Sequence, residues 1–103
     1  MLQEGRLLKR SRGLRKLKQR YVALFFWRKP ARLILNTYKG EGSGPKSTES
    51  LDLSPGPPVV AIEATLTFYL KARPVGEAMQ EFKFRAESET DFQRWLEVLE
   101  SAR

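Results

Sequence analysis

Neither cysteine nor histidine occurs in the 103 residues. The first absence excludes disulfides and thiol chemistry, and it fits an intracellular protein. The second removes the commonest general base and the commonest transition-metal ligand. Carboxylates are present, but they form no compact cluster of the kind a metal site or a glycosidase needs. Long apolar runs are missing too. The longest, residues 21–27, is strand-sized and lies between Arg20 and Arg28. It falls far short of the roughly 20 residues that span a bilayer. Near the N-terminus Arg6 and Lys9 interrupt the apolar patch, which therefore does not read as a signal peptide. Nothing here calls for an enzyme, a cofactor or a metal.

What is abundant is positive charge at one end. The formal net charge is +7, but residues 1–39 carry +11, with Glu4 as the one acid, and residues 40–103 carry −4. A chain so polarised draws anionic lipid surfaces or phosphate polymers to its basic half. At 41% hydrophobic and 30% charged residues the rest is an ordinary globular composition, sized for a single domain over 1–103.

The apolar residues repeat with period two for most of the chain. Alternation and turn residues predict strands over 4–10, 18–27, 32–39, 48–53, 59–65, 66–73 and 80–86. Gly13, Pro30, the run 40–45, the Pro-rich 55–58 and the turn 74–76 punctuate them. An unmarked bend separates the fifth and sixth strands. The period then changes to 3.6. Phe92, Trp95, Leu96 and Leu99 fall on one stripe, Ser88 stands where a cap belongs, and Asp91 lies in the first turn. A helix is predicted over 89–102, with Trp95 in the core. A single amphipathic helix after seven strands suits a plug for one end of a small barrel or orthogonal sandwich.

Four segments carry a resemblance: EGRLLK at 4–9, KQRYVAL at 18–24, FKFRAES at 82–88 and DFQRWLEVL at 91–99. In this order and spacing the chain resembles the pleckstrin-homology (PH) family over nearly its whole length. The resemblance implies a mainly β fold, a seven-stranded orthogonal antiparallel sandwich or barrel capped by the C-terminal helix. It also implies a phosphoinositide site at the opposite, open end. The family pattern is a lysine late in the first strand, then a basic residue, any residue, and arginine early in the second. Lys9 followed by Lys18, Gln19 and Arg20 matches it. The family's phosphate-contacting tyrosine of the third strand would fall at Leu35, Thr37 or Tyr38, depending on register. Its histidine contact is absent here.

Side-chain alternation supports the same site. Val22, Leu24 and Phe26 are expected to face the core, so Lys18 and Arg20 continue that face toward the loop, as Lys9 continues the face of Leu7. Arginine offers a rigid fork to two phosphate oxygens, and lysine a point charge. Arg10, Arg12, Arg15 and Lys16 add a basic loop suited to non-specific attraction by an anionic leaflet, or to a plain solvated face. Leu14 and Leu17, set among them, are candidates for membrane insertion or for packing under the loop. Phe25, Phe26 and Trp27 read as packing residues. Tyr38 and Lys46 complete the candidate set.

These features lead to a cytoplasmic, monomeric module, peripheral at membranes, that binds phosphoinositide headgroups and targets its parent protein there. The alternative is a protein-interaction module on the same fold, docking an acidic partner or a small GTPase through its loops and strand edges. Nucleic acid is disfavoured, since the aromatics sit in core positions and the C-terminal half is acidic.

Overall fold

A computed structural model describes residues 2–10, 16–28, 31–40, 48–53 and 59–101. The chain is mainly β with one C-terminal helix. The strands are β1 (Gln3–Arg10), β2 (Leu17–Arg28), β3 (Ala31–Tyr38), β4 (Glu49–Asp52), β5 (Val60–Ile62), β6 (Thr67–Pro74) and β7 (Gln80–Arg85), followed by α1 (Glu89–Ser101). They form one antiparallel sheet in the order β4-β3-β2-β1-β7-β6-β5, and a further β4–β6 pairing closes six of them into a barrel. β6 shares one edge between two partners. Its first residues pair with β5, and Pro74 and Arg73 pair with Leu51 and Asp52 of β4. β5 is thus an extra strand outside the ring.

Alternation decides what the barrel encloses. Leu7, Val22, Leu24, Leu33, Leu35, Leu51, Leu53, Phe68, Leu70, Phe82 and Phe84 are all buried and join one core cluster. Phe68 and Phe84 stack with centroids 5.6 Å apart, and Phe92 of the helix meets Phe68 at 6.5 Å. Each such aromatic pair adds about 0.5–1.5 kcal/mol beyond area burial.

The helix starts where its cap directs. The Asp91 backbone N–H donates to Ser88 Oγ at 3.2 Å, and the Phe92 N–H to the Ser88 carbonyl at 3.0 Å. The first bond satisfies one of the donors that a helix start leaves open, and the second is the first rung of the helical ladder. Its stripe of Phe92, Trp95 and Leu99 is buried against the strands. A side-chain carbon on Gly5, early in β1, would lie 3.7 Å from Trp95 Nε1, which fixes the helix at that end of the barrel.

Two expectations fail locally. The fifth strand does not run over 59–65: it ends at Ile62, and Glu63–Thr65 form a 3-10 turn. Leu66 then takes the left-handed conformation (φ 53°), which reverses the chain into β6. The turn is held by Leu66 N–H donating to the Glu63 carbonyl, and by Thr65 and Thr67 hydroxyls 3.0 Å apart. Phe26 shares the inward parity of Val22 and Leu24 but is 46% exposed, and Trp27 is 59% exposed. Both lie near the end of a 12-residue strand, past the last β1 pair at Leu24, where β3 alone still flanks the strand. Phe26 instead joins Leu2, Val98 and Ser101 around a hollow of about 420 Å³ beside the helix.

Candidate functional site

Register fixes the direction of the basic side chains. Leu7 pairs with Arg20, and Lys9 with Lys18, across the β1–β2 ladder. Residues directly opposite in an antiparallel pair share a face. Leu7 is fully buried, so Arg20, Lys9 and Lys18 all belong to the interior face. Gly5, which meets Trp95, lies on the same face four residues before Lys9. At about 3.3 Å per residue the cations stand roughly 13 Å from the helix contact along the strand. The rim around them is made where β1 and β3 end and where β2, β4 and β7 begin.

Lys9 is already engaged. Its Nζ lies 2.6 Å from Glu49 Oε1, with the two side chains 11% and 18% exposed. It also lies over the Phe82 ring, 5.4 Å from the centroid. Two strands, β2 and β3, separate β1 from β4 in the sheet, so this ion pair crosses the barrel mouth. Glu49 has a further interaction besides Lys9. Directly beside it in the β3–β4 ladder, buried Thr37 shares a hydroxyl contact of 2.8 Å with Thr48, and Thr48 Oγ1 donates to the Thr37 carbonyl at 3.0 Å. Glu49 escaped the sequence reading, yet the signal was there. Glu49, Leu51 and Leu53 alternate, so the carboxylate continues an inward apolar face to the rim just as Lys9 continues that of Leu7.

The other residues of the sequence reading scatter. Arg20 is half-buried, and its Nη1 donates to the Gln19 carbonyl at 3.0 Å. Lys18 and Lys16 are exposed. Arg10 and Leu17 pair with one another one residue out of phase with Lys9 and Lys18, hence on the outer face. Leu17 is half-buried there. The third-strand register is now defined. Thr37 pairs with Val22 on the inner face, whereas Tyr38 pairs with Tyr21 on the outer one. The Tyr38 hydroxyl accepts from Asn36 Nδ2 at 3.4 Å. Arg12, Leu14, Arg15 and Lys46 lie outside the described residues.

No protein-family model matches the chain, and no curated protein matches it. No helix among the described residues is long and apolar enough to cross a membrane. Among the described residues no group of three or more acidic side chains could hold a metal ion. The rim brings Lys9, Lys18 and Arg20 onto one interior face, with the Glu49 carboxylate against Lys9 and the Thr37 and Thr48 hydroxyls alongside.

Proposed function

We propose that the chain is a pleckstrin-homology-type module. In this reading the open end of its barrel takes the phosphates of an inositol headgroup and brings the parent protein to anionic membranes on the cytoplasmic side. One observation carries the reading: Lys9, Lys18 and Arg20 share the interior face at the rim remote from Trp95. Cations on a concave, partly desolvated face attract phosphate more strongly than the same charges on open surface. Arg20 can release the Gln19 carbonyl and present two parallel N–H groups to phosphate oxygens, while Lys9 and Lys18 supply point charges. Arg10 and Lys16, exposed beside the rim, supply attraction to the leaflet of roughly 1 kcal/mol per residue. The module works by binding alone, as a monomer, without enzyme chemistry or cofactor.

The test is vesicle sedimentation at physiological ionic strength, because low salt exaggerates every basic surface. Phosphatidylcholine vesicles with and without a bisphosphorylated phosphoinositide are compared for the native chain, Lys9→Ala and Arg20→Ala. Headgroup-dependent binding that both substitutions weaken supports the reading. Equal binding to the two vesicle types, or unchanged binding in both variants, defeats it.

A second reading draws on a different surface. Leu2 and Phe26 are exposed at the helix-capped end around the hollow that Val98 and Ser101 also line, and Trp27, next in β2 on the opposite face, is exposed as well. Exposed aromatics beside a concavity are a common feature of protein docking. A module that binds a protein partner, such as an acidic protein or a small GTPase, would use this end and leave the rim cations as a general membrane attractor. Phe26→Ala and Trp27→Ala would then abolish partner capture without altering vesicle binding.

A further inference from the structure

The rim contains a carboxylate that a phosphate site would be expected to avoid. Glu49 spans the mouth to Lys9 at 2.6 Å, and the ammonium is held between that carboxylate and the Phe82 ring. Resting on the proposed phosphate-binding function, we infer that Glu49 is a specificity-determining residue, an internal counterion that sets the minimum charge a headgroup must carry to enter the mouth.

The argument is one of competition. Without a ligand, Glu49 offsets repulsion among Lys9, Lys18 and Arg20, which crowd one face. An incoming anion must take Lys9 from it, and the displaced carboxylate then repels the newcomer. A headgroup bearing one net negative charge, as phosphatidylserine does, replaces one charge with another and gains little. A phosphomonoester carries about −1.5 to −2 at neutral pH. Two of them on one ring therefore outbid a single carboxylate. The low exposure of both side chains matters here, since water and salt screen such a pair less than one on open surface. Lys9 also stays near its binding position while it waits, because Phe82 and Glu49 hold it from two sides.

The experiment uses the full chain and three vesicle types: phosphatidylcholine alone, with phosphatidylserine, and with a bisphosphorylated phosphoinositide. Glu49→Gln keeps the side-chain shape and removes the charge. It should tighten binding to both anionic vesicle types by up to about fivefold, the size of one partly screened ion pair, so that phosphatidylserine vesicles hold chain that the native mouth rejects. In a Lys9→Ala background the gain should shrink, because no ammonium is left to release. Glu49→Asp draws the carboxylate back by one methylene and should give a smaller gain of the same sign, which covers the case of a poorly folding Gln variant. Native chain that prefers phosphoinositide yet binds both anionic vesicle types as tightly as Glu49→Gln overturns the inference and leaves the proposed function standing. Native chain that ignores phosphoinositide while Glu49→Gln binds it sinks the proposed function and with it the inference that two phosphomonoesters outbid the carboxylate. Failure of both chains to bind overturns both.

Discussion

Lys9 and Lys18 stand directly opposite one another on the interior face of the β1–β2 ladder. Like charges in that relation destabilise a sheet, by roughly 0.2–1 kcal/mol per pair. Glu49 relieves Lys9 from across the mouth, and Lys18 remains exposed to solvent. A folded-state cost of this kind is what the proposed phosphate site would carry in exchange for binding.

That relation gives the first prediction. Lys18→Thr, a strand-favouring and uncharged change, should raise the melting temperature by on the order of 2–4 °C. The gain should shrink in high salt, because it is electrostatic. The same variant should bind phosphoinositide vesicles less well. Calorimetry at two salt concentrations checks the first part and sedimentation the second. A fall in melting temperature would show that Lys18 supports the fold rather than straining it.

Arg20 is the sharper test of the site. Among the described residues its guanidinium donates to the Gln19 carbonyl, and it lies opposite fully buried Leu7. Arg20→Ala should therefore leave melting within a few degrees of the native value. It should weaken binding of soluble inositol trisphosphate by about tenfold or more, the loss of charge-assisted hydrogen bonds worth roughly 1.5–3 kcal/mol. Arg20→Lys should recover only part of the affinity, since an ammonium cannot grip two oxygens in one plane. Full recovery by lysine would argue for a diffuse field instead of a fork. Titration calorimetry separates the three variants.

The parts of this structure legible in the sequence are those where one residue type admits one reading. Ser88 followed by the Phe92, Trp95 and Leu99 stripe could cap and bury only a helix, and the alternation of Phe82 and Phe84 with Lys83 could suit only a half-buried strand. The turn after β5 was not legible in its extent, because its left-handed residue is Leu66 rather than glycine or asparagine. Tertiary packing of that leucine on the core outweighs its local preference. Phe26 misled for another reason. Parity gives the face of a side chain but not how far the enclosing strands extend. Glu49 belongs to the acidic half along the chain, while the fold carries it across to the basic rim. Sequence shows the sign of each charge, and topology decides which charges meet.

The helix end gives a contrast between two large aromatic side chains. Trp95 is fully buried in the core cluster, and Phe26 is half open to solvent. Trp95→Ala should cost about 3–5 kcal/mol, since the barrel end cannot collapse into the space left behind. For a domain of this size that lowers the melting temperature by on the order of 15–30 °C. Phe26→Ala should cost about 1–2 kcal/mol, because about half of its surface stays in water and no closed cavity is left behind. Thermal scans of both variants check the pair. Comparable losses would mean that the hollow beside Phe26 is part of the core.

Gly5 makes the finest test of how the helix sits. A side-chain carbon there would meet Trp95 Nε1 at 3.7 Å, an ordinary van der Waals contact. Gly5 is also a strand residue without a positive φ. Alanine thus fits both the space and the backbone, and it restricts the unfolded chain more than glycine does. Gly5→Ala should stabilise the domain by about 0.4–1 kcal/mol. Gly5→Val should instead destabilise it by roughly 1–3 kcal/mol, since its two extra methyl groups need room that the indole already fills. The change of sign between alanine and valine is the diagnostic feature of chemical denaturation curves for the two variants. If alanine were as harmful as valine, the helix would have to lie closer to β1 than this contact allows. The route from Trp95 along β1 to Lys9 would then need to be redrawn from its first residue.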